Sequence, residues 1–382
     1  MIRLHARNQL FLFLAAAFLL GGASRPPDVP FRLHTLDLGA SETAAVADIN
    51  RDGRLDIVSG ENWYEAPNWT QHRFRELDYL NNYIDAFSDL PIDVNGDGYP
   101  DVVTASWFAK KLSWWKNPGK AGGAWTESVI DSGFNIEFAF LVDLDNDGQR
   151  REILPEFGNA NAPLAWYELK NGAWVKHVVS PKSYGHGIGA GDVNGDGRAD
   201  ILTPKGWLEA PADPRSEDWK FHPDWDEKNE LGFLYAIDLN GDGLNDVLTT
   251  SAHGYGILWY EHGADGHWTR RVIDESWSQA HAATLVDLNG DGRLDLVTGK
   301  RYMAHNGSDP GEREPLGVYW YEYRKGAQSR VEWVRHVIDY SGRTGGGMQI
   351  PAVDIDGDGD IDLVCAGKSG LFLLENLTHK PR

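Results

Sequence analysis

Seven short segments of the chain place oxygen-bearing side chains at alternate positions of a turn that ends in glycine. They are Asp48, Asn50 and Asp52; Asp93, Asn95 and Asp97; Asp143, Asp145 and Asp147; Asp192, Asn194 and Asp196; Asp238, Asn240 and Asp242; Asp287, Asn289 and Asp291; and Asp354, Asp356 and Asp358. In six of them a further carboxylate stands at position nine, namely Asp56, Asp101, Asp200, Asp246, Asp295 and Asp362. The third departs, with Arg151 at position nine and Glu152 one place later, so its site requires a one-residue bulge. Alternating hard oxygen donors on a turn sharpened by glycine converge on one hard cation, and the spacing fits Ca²⁺. Asp-Gly and Asn-Gly also make good β-turns without any metal, but a plain turn does not call for three or four acids per loop.

A second set of residues is suited to proton transfer. His186, His253, His281 and His305 come from three successive repeats, and Lys300, Arg301 and Tyr302 lie close to the last of them. Imidazoles beside carboxylates and a tyrosine suit a second divalent metal, or general acid and base roles in β-elimination from a sugar. Lys300 and Arg301 then suit an enolate or a carboxylate. The chain has no H-E-x-x-H, G-x-S-x-G, P-loop or C-x-x-C motif. The lone Cys365, inside the apolar run Leu363-Val-Cys-Ala, reads as a buried inert thiol.

The elements that position these residues repeat with the aspartate loops. First aspartates are separated by 45, 50, 49, 46, 49 and 67 residues, the period of a four-stranded propeller blade. Each period holds four short apolar, β-branched or aromatic stretches, as in Glu137-Phe-Ala-Phe-Leu-Val, Glu152-Ile-Leu-Pro, Leu164-Ala-Trp-Tyr-Glu and Trp174-Val-Lys-His-Val-Val. The recurring Trp-Tyr-Glu of the third stretch and the histidine ending the fourth read as packing. The last repeat lacks a fourth stretch, and Phe31-Arg-Leu-His-Thr-Leu at the other end supplies one. The expected fold is therefore all-β, a seven-bladed β-propeller over residues 31–382 whose N-terminal strand closes the last blade. The aspartate turns then share one rim. The opposite rim gathers the histidines with Glu61, Asp85, Glu137, Glu156, Lys205 and Gln349. The stretch Met303 to Pro315 accounts for the long interval and suits a lid or a partner surface.

The aspartate loop between paired strands resembles the FG-GAP or VCBS repeats of seven-bladed propellers, the fold also of the integrin α head. The phrases His186-Gly-Ile-Gly-Ala-Gly-Asp, Gly206-Trp-Leu-Glu-Ala-Pro, Ser278-Gln-Ala-His, Val297-Thr-Gly-Lys-Arg-Tyr and Gly345-Gly-Gly-Met-Gln-Ile-Pro are similar to the propeller domain of aldos-2-ulose dehydratase and its bacterial relatives. That resemblance implies a keto-sugar dehydration on the histidine-bearing rim.

The remaining features bound the compartment and partners. Arg3 and Arg7, the apolar run Leu10 to Leu20 and the small residues Gly21 to Ser24 read as a signal peptide over 1–23, followed by a linker over 24–30. The expected location is secreted or periplasmic, with no membrane span after cleavage. A formal charge of −21 disfavours nucleic acid and anionic membranes. Two functions fit: a carbon–oxygen lyase acting on keto-sugars or uronic-acid glycans, or a non-catalytic extracellular module that binds carbohydrate or protein. The oligomeric state is left open.

Overall fold

The computed structural model describes residues 28–326 and 330–379, so the expected leader at 1–23 and residues 24–27 of the linker lie outside the described residues. Regular structure within that range is β, apart from one short 3-10 turn at Gly119–Ala121. The repeats fold as antiparallel four-stranded sheets. One is Ala45–Ala47, Asp56–Ser59, Asn62–Glu65 and Thr70–Arg73, and another is Ile136–Val142, Glu152–Phe157, Leu164–Lys170 and Ala173–Ser180, each joined in chain order. Second strands such as Asp101–Ser106, Asp246–Ser251 and Asp362–Gly367 are buried along their whole length because neighbouring sheets cover both faces. Their centres accordingly read as consecutive apolar residues, Val102-Val103, Val247-Leu248 and Leu363-Val-Cys-Ala, rather than alternating ones.

The chain closes on itself. Phe31–Asp37 pairs antiparallel with Gly370–Asn376, in register from Phe31 opposite Asn376, and completes the sheet of Asp362–Gly367 and Ala352–Val353. The structure differs from seven separate blades. Five four-stranded blades stand alone, and the residues from Ile188 to Ser278 form one eight-stranded sheet. Its halves are joined by parallel pairing of Ile188–Gly191 with Leu231–Ile237, through Ile188 opposite Phe233 and Gly189 opposite Leu234. Missing side chains are the physical reason. A Cβ at Gly189 would lie 1.9 Å from the Leu234 carbonyl oxygen, and one at Gly191 would lie 2.8 Å from the Ala236 Cβ. Glycine at these positions lets two inner strands approach to hydrogen-bonding distance. Replacing Gly189 with valine should therefore destabilise the fold by about 3 kcal/mol, at the upper end of overpacking costs, measured from the urea midpoint. A loss under about 1 kcal/mol would mean that the junction is not tightly packed.

Each aspartate loop is preformed and stapled to its sheet. In the first, Asp48 accepts from the backbone N–H groups of Asp52 and Gly53, both at 3.0 Å. The position-nine carboxylate spans two turns: Asp56 accepts from Ile49 N at 3.0 Å and from Ala66 N at 2.9 Å. Asp101, Asp200, Asp246, Asp295 and Asp362 repeat this pair of bonds. Glu152 makes the first of them, to Leu144 N at 3.1 Å, so its longer side chain takes up the one-residue offset. The recurring tryptophan and histidine also have a structural place. Trp63 stacks on His72, Trp166 on His177, Trp207 on His222 and Trp320 on His336. Each of these imidazoles is held by a glutamate of the adjacent strand: Glu65, Glu168, Glu209 or Glu322. Cys365 is buried, and burial pushes its thiol up to about 12.

Candidate functional site

Three histidines outside the stacks, His186, His253 and His281, meet at one point with Glu137. Glu137 lies near the start of Ile136–Val142, His186 just before Ile188–Gly191, and His281 just before Ala283–Val286; His253 follows Asp246–Ser251. Because antiparallel partners put the start of one strand beside the end of the next, all four side chains come to the same rim. His186 Nε2 is 2.9 Å from Glu137 Oε2, and His253 Nε2 is 3.2 Å from His186 Nε2. His253 Nε2 and His281 Nε2 are each 3.4 Å from Glu137 Oε1. One ligand atom from each of the four residues falls within 4.8 Å of every other. Metal bonds of about 2.0–2.1 Å in a tetrahedron put neighbouring ligand atoms roughly 3.3 Å apart, so the spacing matches a four-coordinate divalent ion.

The tautomers suit the same geometry. His186 Nδ1 donates to the Leu231 carbonyl oxygen at 2.7 Å, and His253 Nδ1 lies 3.0 Å from Asp309 Oδ2. In both rings Nε2 is thereby the nitrogen turned toward Glu137, and it would have to give up its proton to take a metal. His281 is fully buried, yet neither ring nitrogen has a hydrogen-bond partner, its nearest carboxylate oxygen, Glu137 Oε1, being 3.4 Å from Nε2. A buried imidazole left unsatisfied on both sides costs on the order of 1–3 kcal/mol, which a metal bond would offset.

Charge is concentrated here. Burial alone would raise Glu137, but the histidines around it, His186 foremost, hold it well below the usual carboxylate range. Burial alone would lower His186, and Glu137 overrides it to lift the ring to about 10. Burial, aided by Arg301, keeps His281 well below its ordinary value, hence neutral and a ready ligand. Burial would raise Asp309, but bonds from His253 and His305 hold it at about 2. Arg301 stands behind the centre, with Nη1 donating to Glu137 Oε1 at 3.0 Å and Nε to Glu42 Oε2 at 3.2 Å.

A cavity of 210 Å³ opens beside these groups, lined by Glu137, His186, His253 and His305 together with Trp107, Asn159, Ser183, Glu156 and Glu230. Glu156 is buried, its Oε2 has no hydrogen-bond partner, and burial pushes its carboxyl up to about 8. Trp107 packs against Gly158, where a Cβ would come within 2.1 Å of the indole ring. A larger cavity of 590 Å³, between the first and last aspartate loops, shares no residue with this group.

Of the sequence-derived candidates, His186, His253 and His281 converge. His305 joins them by stacking on His253, with ring centroids 4.4 Å apart. Arg301 reaches Glu137. Lys300 does not reach the histidines: its Nζ donates to Ser278 Oγ at 2.8 Å and lies 3.5 Å from Glu314. Tyr302 is 41% exposed and lies outside the cavity lining. The fourth donor, Glu137, was gathered on the rim by sequence reasoning without a role, and Asp309 was missed. Its signal was the i to i+4 spacing from His305 inside the long insertion.

Comparison with known proteins bears on the fold. The FG-GAP-like repeat model matches residues 93–150 and 238–298. No curated protein matches the chain. Among solved structures, BBS1N in complex with ARL6DN, soaked with mercury, aligns at a TM-score of 0.56 and 11% identity over 92% of this chain and 97% of that one. The same complex soaked with lead aligns at 0.54 and 11%, over 91% and 99%. At this identity the likeness carries the fold alone. The chain thus carries FG-GAP-like repeats in an all-β propeller.

Proposed function

We propose that this propeller holds a divalent transition ion at Glu137, His186, His253 and His281, and that the adjoining cavity binds a neutral sugar. Counting each half of the eight-stranded sheet as a blade gives seven units, one per aspartate loop. The observation that carries the reading is the convergence of three imidazoles and a carboxylate at metal-ligand spacing beside a polar cavity. Three imidazoles with one carboxylate suit zinc and its first-row neighbours. When bound, the ion would supply Lewis acidity toward a carbonyl or hydroxyl oxygen only by accepting it as a fifth ligand. The chain's own groups do the rest: His305 lines the cavity as a base, Asn159 and Ser183 offer hydrogen bonds, and Trp107 forms a flat apolar wall suited to a sugar face.

The lining also selects the ligand. It contains no lysine or arginine but includes the Glu137 and Glu230 carboxylates, so a uronate or phosphate meets negative charge and an uncharged polyol does not. At 210 Å³ the space is below the ~300–1,000 Å³ of pockets for drug-sized ligands and suits one sugar ring. Elimination from a keto-sugar is the reaction this arrangement fits. The aspartate loops are proposed to hold Ca²⁺, in keeping with an exported protein. Metal-loaded protein should bind neutral keto-sugars by calorimetry and produce absorbance from a new conjugated double bond, with uronates at least ~10-fold weaker. Equal or tighter uronate binding would overturn the neutral-sugar reading.

A second reading is favoured by the structures of similar fold, in which the propeller-like chain is in complex with a protein, ARL6DN. On that reading the rim, including the exposed Tyr79 and Tyr302, is a protein-docking surface. Sugar binding that is absent with and without metal would shift the assignment there. No helix among the described residues is long and apolar enough to cross a membrane.

A further inference from the structure

The geometry points to Asp309 as a positioning residue that fixes the tautomers of two imidazoles at once, His253 as metal ligand and His305 as cavity base. This inference rests on the metal reading above and adds a function for the insertion between Asp295–Gly299 and Gly317–Lys325. Asp309 Oδ2 is 3.0 Å from His253 Nδ1, and Asp309 Oδ1 is 2.9 Å from His305 Nδ1. A carboxylate can only accept, so both rings must carry a proton on Nδ1, which leaves Nε2 as the nitrogen free to serve the centre or the cavity once its own proton is given up. For His253 that Nε2 faces Glu137 and His186. His305, its side chain 49% exposed, lines the cavity and stacks on His253 at an interplanar angle of 17°. Outer carboxylates of this kind orient ligating imidazoles and raise their basicity.

Asp309 is itself held in place. The backbone N–H of Asp309 donates to Glu312 Oε2 at 3.0 Å, and that of His305 donates to the other oxygen of the same carboxylate, which is only 1% exposed. Outside the loop, Lys368 Nζ donates to the Met303 carbonyl oxygen at 2.6 Å, and Asn82 Nδ2 donates to Asn306 Oδ1 at 3.2 Å. These bonds tie the insertion to the last sheet and to the hairpin of Tyr79–Leu80 and Tyr83–Ile84. The long loop is therefore a clasp on the metal centre rather than a solvated excursion.

The test is zinc affinity by competition with a chelator of known affinity, alongside imidazole nitrogen NMR of the metal-free protein. Asp309→Asn should weaken zinc roughly 10–100-fold and turn the single Nδ1-protonated signals of His253 and His305 into tautomer mixtures. Asp309→Glu, which keeps the carboxylate, should recover part of the affinity. His177→Ala, at a ring held in a tryptophan stack away from the centre, should stay within about threefold of the parent. An Asp309→Asn protein with parental affinity and parental tautomers would overturn the proposal. If the parent takes up no zinc the metal reading fails, while the tautomer signals still decide whether Asp309 orients the rings.

Discussion

Replacing His281 with alanine will abolish the zinc-dependent rise in melting temperature and weaken zinc binding by at least about a hundredfold, while the metal-free protein melts within a few degrees of the parent. The two halves of that expectation have one cause. His281 is one of the four proposed donors, and its loss would leave three. In the metal-free fold its ring nitrogens have no hydrogen-bond partners, so removing them sacrifices no bond and relieves a buried unsatisfied group. His177 gives the opposite pattern. Its ring stacks on Trp166 and bonds Glu168, which also pairs with Arg215. His177→Ala should therefore lower the melting temperature of the metal-free protein and leave zinc affinity unchanged. A His281→Ala protein that keeps its zinc shift would remove this residue from the centre.

The second large effect is expected at the aspartate loops. Chelating divalent ions at pH 8 should lower the melting temperature by on the order of 10 °C, and the same treatment at pH 5 should do far less. Two loops at hundredfold excess over their Kd contribute roughly 5 kcal/mol by mass action, enough for a shift of that size. The pH dependence follows from the position-nine carboxylates. Burial raises Asp56, Asp101 and Asp200 to about 6, and Glu152, Asp246, Asp295 and Asp362 to about 7, against an ordinary carboxylate near 4. A carboxyl that titrates higher in the fold than in the unfolded chain stabilises the fold below about pH 4. It loses that contribution as the pH climbs through 6 to 7. Metal-free protein should thus weaken between pH 5 and 8, whereas calcium, which binds the ionised form, should hold the melting temperature level. A chelator effect of equal size at both pH values would separate these carboxylates from cation binding.

Much of the architecture was legible because it repeats. The seven loops carry their turn chemistry in adjacent residues, and the pairing of Phe31–Asp37 with Gly370–Asn376 followed from a missing strand at one end and a surplus at the other. The fused sheet was not legible. Gly187, Gly189 and Gly191 register in sequence as a phrase, and only the approach of Leu231 and Leu234 shows what the absent side chains permit. The candidate site was legible in its histidines, since rim connections must converge in a closed ring. Glu137 was harder to read, because one acid heading the apolar run Phe138-Ala-Phe-Leu-Val looks like a strand edge. Asp309 sits among Glu312, Glu314 and other polar residues that have the composition of solvated loop. Tyr302 is the converse case: adjacent in sequence to the buried Arg301, it turns to solvent.

The central claim is that three imidazoles and Glu137 hold one metal ion. Anomalous diffraction at the zinc absorption edge, on crystals of the full chain grown with equimolar zinc, tests it most directly. The expected map has one strong peak per chain, bonded to Glu137, His186, His253 and His281 at about 2.0–2.2 Å. A centre without a peak, with Nε2 of the three histidines drawn apart or bridged only by water, would contradict it.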